Sequence, residues 1–459
     1  MIKLKIGDFI NFIDGKLLKG SPDTEIFNIS TDTRTLEKNS LFIPLSGEKF
    51  DGHNFIDKAL ELGACSFICS RQEFSDRDSN VIYVSDPLRA YQKLATFIRE
   101  KFNIPVIAVT GSNGKTTTKE LLYSLLTYKF KHILKTRENF NNEIGVPKTL
   151  LELSDSNDCA VLEFAMRGPG EIALLSDIAH PTAGVITTVG EAHIGRLGSR
   201  ENIAKAKGEL LAGLPSDGLA VLNRDNDWYD FLSSLVSCKH IRTFGLTDNA
   251  DVFTDNIVER GMEGTELDVH FNNRVERVFF PMIGTYNIYN LLASVSVASY
   301  LIEDLSLSSA LKSFIPPPSG RTRIINTEHI KIIDDTYNSN PLAVRSIIDT
   351  MAKHFPDNRK ILVLGDMLEL GEEEIASHLK VGEWVREYGI DYLFTFGPLG
   401  RHTAKAASGA GTESFSFQEK SSLMAGLLNI IKPGDVILVK GSRGMHMEEI
   451  VESLLDRIK

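Results

Sequence analysis

The segment VIAVTGSNGKTTTKELL, residues 106–122, decides how the rest of the chain is read. It opens on an apolar, largely β-branched run, Val106 to Val109, which reads as a buried strand. The run breaks at Thr110-Gly111-Ser112-Asn113-Gly114, and a helical pattern starts at Lys115. Strand, glycine turn and helix start together make a phosphate cradle. The glycines let backbone N–H groups approach an anion, the helix N-terminus favours negative charge, and Lys115 reaches the outer phosphates. Thr116 or Thr117 then offers a hydroxyl to Mg²⁺. A strict phosphate loop carries glycine at position 109; this chain has Val109, so TGSNGKTT is a variant loop.

Working outward, the 459 residues exceed what one core supports and imply about three domains. A hydrophobic fraction of 42% and a charged fraction of 24% are ordinary for a globular protein. No apolar run approaches the ~20 residues of a membrane span. The opening MIKLKIGDFINFIDG is amphipathic and lacks a signal-peptide core. The four cysteines show no zinc spacing and no disulfide framework, and Cys65 and Cys69, in ACSFIC, read as core strand residues. A cytoplasmic protein is expected, and nothing demands more than a monomer. The net charge of −11 argues against a nucleic-acid partner, so anionic ligands must be held by local devices.

The first segment, residues 1–100, shows short strands and turns in FNIS, LFIPL, CSFICS and VIYVSD. The second, 101–316, alternates the apolar runs IPVIAV, CAVLEF, AGVITTV and LAVLN with helical stretches, which predicts parallel α/β units. The sequence PPPSG, 316–320, reads as a stiff linker and a hinge. The third, 317–459, repeats the rhythm in KIIDD, KILVLGD, YLFTFG and DVILVKGS. The expected fold is therefore α/β with three domains: a small N-terminal one, a central phosphate-loop ATPase-like parallel sheet, and a Rossmann-like C-terminal one. Ligands of open parallel sheets sit at strand carboxyl ends. The loops DDTYNSNP, GDMLELGEE and KGSRGM all fall there.

Several residues are placed for chemistry. Glu163 ends the run CAVLEF and is the natural partner for Mg²⁺ in a segment without an ordinary strand-end aspartate. His193, just past AGVITTVGEA, reads equally as a metal ligand or as a solvated loop histidine. In ENIAKAKGELLAGL, Lys207 shares one helical face with Ile203, Leu210, Leu211 and Leu214. Such a lysine either snorkels to solvent or is held neutral by burial and becomes able to react with CO₂ as a carbamate. Asn287 and Asn290, three apart at a helix start, present amides that suit an adenine edge. Arg321 suits a phosphate clamp, and one of Asp334 and Asp335 a ribose hydroxyl.

Together these residues resemble the Mur ligase family over essentially the whole chain. STDTRTLEKNSLFIPLSGEKFDGHNFIDKALELGA resembles its uridine-diphosphate-binding domain. TGSNGKTTTK, NFNNEIGVPKTLL, VLEFAMRGPGEI, EAHIGRLGS and AKAKGEL resemble its central ATP domain, in order. SGR, DDTYNSNP, VLGDMLELGEEE and KGSRGMHME resemble its C-terminal domain, in the form found in the dipeptide-adding members. The phosphate-loop variant is shared with folylpolyglutamate synthases. The resemblance implies an ATP-dependent amide ligase of peptidoglycan precursor synthesis. It would join UDP-N-acetylmuramoyl-tripeptide to D-alanyl-D-alanine through an acyl phosphate; a single-amino-acid ligase or a folylpolyglutamate synthase is the alternative, and a phosphate-loop ATPase switch is more remote. It implies that Gly111, Ser112, Asn113, Gly114, Lys115, Thr116 and Thr117 hold the phosphates of ATP, with Thr116, Glu163, His193 and Lys207 around Mg²⁺. Lys207 aligns with the family's N-carboxylated lysine. Asn287 and Asn290 take the adenine contacts, Asp335 the ribose and Arg321 the γ-phosphate. Ser30, Arg34 and the turn from Glu48 to Asp51 fall in the uridine-nucleotide region, and Asn142, Asn338 and Asn340 in motifs that meet substrate. Tyr286 stands where related ligases often have histidine.

Overall fold

The apolar runs of the middle segment form one parallel sheet, in which His240–Phe244, Leu219–Asn223, Ala183–Ile186, Val106–Thr110, Cys159–Glu163 and Ile133–Lys135 lie side by side in that order. The computed structural model describes residues 3–47, 50–261, 263–316, 322–409 and 411–457. These strands read as unbroken apolar runs because successive side chains enter opposite faces and both faces are covered. Ile107, Val109 and Val161 pack with Leu121, Leu125 and Leu291 on one side. Val106, Ala108 and Leu162 pack with Leu175, Ile203 and Leu210 on the other. Each buried aliphatic side chain contributes about 1.5–3 kcal/mol, so the strand feeding the phosphate loop is rigidly seated. Helix α1 (Lys115–Leu126) leaves that loop. Helices α2 (Arg200–Ala212) and α3 (Thr285–Leu301) cover opposite faces of the sheet.

The alternation of strands and helices does not hold throughout this segment. Phe253–Glu259, Thr265–Phe271 and Arg274–Phe280 form an antiparallel meander. TELDVHF and RVERVFF alternate with a period of two, burying one face against Phe244 and α3. Asn272 and Asn273, both at positive φ (47° and 57°), make the tight turn between them.

The third segment builds a second six-stranded sheet, ordered Arg323–Asn326, Lys331–Asp335, Val436–Lys440, Lys360–Gly365, Tyr392–Phe396 and Glu413–Phe417. Only the first, edge strand is antiparallel. Helix α4 (Pro341–His354) follows Lys331–Asp335 and begins with proline and an Asn340 cap. The first segment carries a five-stranded sheet ordered Lys16–Lys19, Asn80–Tyr83, Ser66–Cys69, Ser40–Phe42 and Asn28–Ser30. Cys69 is buried there as expected, whereas Cys65 is only half-buried; all four cysteines are free. The structure is thus α/β with three sheet-centred units, and we propose boundaries near residues 100 and 316. Arg321, Glu48 and most of the linker at 316–320 lie outside the described residues.

Candidate active site

The loop Thr110–Gly114 turns back on itself by bonds to the neighbouring strand's exit. Ser112 N–H donates to Thr188 O at 2.8 Å, and Ser112 Oγ accepts from Gly190 N–H at 2.9 Å. Thr187 Oγ1 donates to Asn113 O at 2.5 Å. Gly111 and Gly114 have φ of +152° and +82°, and neither position admits a side chain. A Cβ on Gly111 would strike Thr187 Oγ1; one on Gly114 would strike Asn290 Oδ1. Lys115 Nζ lies over the loop, donating to Gly111 O at 2.8 Å.

Beside the loop is a buried carboxylate. Glu163, 3% exposed, accepts from Thr116 Oγ1 at 2.7 Å and from Asn141 Nδ2 at 2.8 Å. Its own N–H donates to Thr136 Oγ1. Among the described residues no lysine or arginine forms an ion pair with it. Thr116 is thus the threonine turned toward the carboxylate, while Thr117 lines the cavity described below. Lys207, on α2, is 2% exposed, and no hydrogen bond or ion pair to it exists among the described residues. Burial first, and then the charge of Lys115, push its ammonium well below the ordinary lysine range. The snorkelling alternative therefore fails: this lysine stays inside. His193 stands at positive φ (66°), a costly conformation for a non-glycine residue. Its Nδ1 is 2.7 Å from Glu369 Oε2 of the third unit. Burial, and then Lys115, hold its imidazole below the usual histidine range, against the opposing pull of Glu369. Among the described residues no three His, Cys, Asp or Glu side chains converge as a ready-made metal site. The donors present nonetheless suit Mg²⁺: a buried carboxylate with no cationic partner among the described residues, and a threonine hydroxyl at the helix start.

The carboxyl ends of the two large sheets face each other across a cavity of about 370 Å³. Asn113, Gly114, Thr117, Thr187 and Asn223 line it from the middle unit, and Asp335, Asn338, Asn340 and Lys440 from the third. Asn287 and Asn290, both buried, line it from the start of α3. Their amides are linked, Asn290 Nδ2 donating to Asn287 Oδ1 at 3.2 Å. Of the aspartate pair, Asp334 turns inward to Thr336, whereas Asp335 lines the cavity and accepts from Lys440 Nζ at 2.5 Å. Tyr286 lines it too, with its hydroxyl 2.8 Å from Thr322 Oγ1; burial, then the Asp335 charge, push that phenol up.

Further contacts between the two units close this cleft. Asn340 Nδ2 donates to Asn113 Oδ1 at 2.8 Å, while Asn340 Oδ1 caps α4 through Ala343 N–H. Gly195 N–H donates to Glu369 O at 3.1 Å, where Gly195 and Gly371 meet backbone to backbone.

The other expected residues lie elsewhere. Ser30 bonds Asp32 within its own turn, and Arg34 pairs with Asp32. Asp51 accepts from Ser46, His53 and Arg71, which holds its carboxyl well below the usual range, the His53 bonds most of all. Asn142 caps a short helix through Gly145 N–H at 2.9 Å. Its neighbour Asn141 is the one that reaches Glu163, and the spacing of the two residues contains no signal for which would do so. Lys440 was detectable as a lysine ending a parallel strand. Glu369 was not, because its partner is 176 positions away.

The same organisation recurs in known proteins. Residues 25–102 match the domain described as Mur ligase family, catalytic domain. Residues 109–298 match the Mur ligase middle domain, and 320–443 the Mur ligase, glutamate ligase domain. A UDP-N-acetylmuramoyl-tripeptide–D-alanyl-D-alanine ligase of Synechocystis sp. is 40% identical, over 99% of this chain and 98% of that one. The chain belongs to the Mur ligase family. Among solved Mur ligases, MurF from Acinetobacter baumannii superposes with a TM-score of 0.91 at 31% identity, covering 99% of each chain. MurF from Thermotoga maritima in complex with ADP gives 0.84 at 29% identity, covering 94% of this chain and 97% of that one. The Mur ligase assignment carries ligase chemistry with it, so this chain is an enzyme. Among the described residues no helix is long and apolar enough to cross a membrane.

Proposed function

We infer that this chain is the ATP-dependent ligase that adds D-alanyl-D-alanine to UDP-N-acetylmuramoyl-tripeptide in peptidoglycan precursor synthesis. The reading is carried by one observation: a phosphate loop opens into a cavity of about 370 Å³ that residues of the third unit complete, in a chain that aligns end to end with a ligase of that name. The adenine meets Asn287 and Asn290, the ribose Asp335, and the phosphates the N–H groups of Gly111–Lys115. Lys115 neutralises charge on the outer phosphates as the tripeptide carboxylate attacks the γ-phosphate, the bond from the γ-phosphorus to the bridging oxygen breaks and ADP leaves. The acyl phosphate formed there is then attacked by the amine of the dipeptide; the C–N bond forms, the amine gives up one proton, and the C–O bond breaks as phosphate leaves. Arg321 would clamp the γ-phosphate.

Thr116, Glu163 and His193 would hold Mg²⁺, with Lys207 as its carbamate. Mg²⁺ there supplies charge neutralisation for the transferring phosphoryl group and its oxygens. Lys207 fits carbamate chemistry because its amine is buried, is held well below the ordinary lysine range, and has no hydrogen-bond or ion-pair partner among the described residues. Its reaction with CO₂ forms one N–C bond and releases one proton. We place the uridine nucleotide on the first unit near Ser30, Arg34 and the turn through Glu48 and Asp51, and the incoming amine near Asn338 and the loop after Gly365.

The test is ADP release from purified protein with UDP-N-acetylmuramoyl-tripeptide and different amines. D-alanyl-D-alanine should support rapid turnover, and D-alanine, L-lysine or glutamate little, because a site built for the second residue's carboxylate is left unpaired by a single amino acid. Preference for a single amino acid or a folate acceptor overturns the substrate; hydrolysis without any acceptor overturns the ligase reaction.

A further inference from the structure

Glu369 has no task in the reaction as described, yet it makes the most direct side-chain bond between the third unit and the candidate cation site. Its Oε2 is 2.7 Å from His193 Nδ1, and its Oε1 accepts from Arg196 Nη2 at 3.3 Å. The loop that carries it is fixed from behind. Met367 N–H donates to the buried His378 Nε2 at 3.1 Å, and His378 Nδ1 lies 2.6 Å from Glu374 O. Leu368 N–H donates to Ser442 Oγ at 2.9 Å, and Ser442 N–H to Asp366 O at 3.2 Å. From the front, Gly195 N–H holds Glu369 O. Both partners of the bond, His193 and Glu369, stand at positive φ, 66° and 64°. Non-glycine residues rarely adopt that conformation, and they keep it where surrounding structure imposes a geometry. A single partly exposed hydrogen bond is too weak to do so.

We propose that Glu369 is the positioning residue for His193: it fixes the ring with its proton on Nδ1 and so leaves Nε2 free to bind a divalent cation. A histidine that ligates a metal characteristically donates its other N–H to a carboxylate, which sets the tautomer and the ring plane. Here that carboxylate comes from a different unit. The cation site of the middle unit is therefore complete only when the loop after Gly365 is docked on it, and cation affinity becomes a reporter of closure. The proposal rests on His193 being a ligand.

The experiment uses the full chain with a non-hydrolysable ATP analogue and Mn²⁺, a paramagnetic stand-in for Mg²⁺, followed by electron paramagnetic resonance. Wild-type protein labelled with ¹⁵N-histidine should show a histidine-nitrogen coupling on bound Mn²⁺. Glu369→Ala should lose that coupling and bind the cation about 10–100-fold more weakly, with the melting temperature unchanged. Glu369→Gln, whose amide oxygen still accepts the Nδ1 proton, should recover part of both. Glu369→Ala with wild-type Mn²⁺ affinity and an intact nitrogen coupling overturns the proposal. If His193→Ala also binds Mn²⁺ as wild type does, the metal reading of His193 falls and the proposal with it.

Discussion

A lysine ammonium buried without a partner is among the costliest groups a fold can hold, and Lys207 is buried so among the described residues. Its folded-state pKa lies below the unfolded value of 10.5. Between those two values the unfolded chain binds the extra proton, so this group makes stability rise with pH across that window and fall on acidification. Carbamate formation has the same sign, since it consumes the neutral amine and releases a proton. Lys207→Ala should therefore be nearly inactive. Wild-type protein in ¹³C-bicarbonate should show a carbamate carbon resonance that is absent in the variant and fades as pH is lowered. A wild-type spectrum without that resonance at neutral pH rules out the carbamate. If Lys115 neutralises the transferring phosphoryl group as proposed, Lys115→Ala should lower turnover by about 10²–10³-fold while the chain stays folded. Retention of more than a few per cent of wild-type turnover removes Lys115 from phosphoryl transfer.

At the scale of elements, the strand–loop–helix unit was readable from residues 106–122 because everything it needs is local: an apolar run, two glycines and a lysine at a helix start. The strands of the third unit were readable for the same reason. Lys207 was half readable: periodicity placed it on the apolar face, but whether its amine reaches solvent depends on what packs over α2. The meander at 253–280 escaped because its outer faces are polar and its register depends on an asparagine turn rather than on a long apolar run. The choice of Asn141 over Asn142 beside Glu163, and the commitment of Asp51 to its own turn, are set by tertiary geometry that no spacing encodes. The loop itself yields a sharp expectation. Gly114→Ala places a methyl on Asn290 Oδ1 and strains a residue at φ +82°. It should cost about 1–3 kcal/mol in stability and weaken ATP binding measured by calorimetry. Unchanged melting temperature and unchanged affinity together contradict the packing of loop against amide.

Across the whole molecule, the middle and third units share the lining of the cavity proposed for the nucleotide, so neither half forms it by itself. Asn340 serves both units, because its Oδ1 caps α4 and also accepts from Asn113 Nδ2 at 3.5 Å, while its Nδ2 donates to Asn113 Oδ1. Asn340→Ser keeps a good cap but is too short to reach Asn113. The expected outcome is an unchanged melting temperature with KM for ATP raised about 2–10-fold, the equivalent of one net hydrogen bond. A loss of stability with KM intact means that the contact with Asn113 contributes nothing to binding.

The approach of Gly195 to Gly371 has a practical consequence. At Gly195 the backbone is not at positive φ, and it lies in the helix Ile194–Leu197, where alanine is locally welcome. Yet a methyl there meets the main chain of Gly371 and Glu369 with no flexible atom to yield. One carbon atom becomes a doorstop: Gly195→Ala should leave each unit folded while propping the cleft ajar, with a radius of gyration by X-ray scattering larger than that of the wild-type chain.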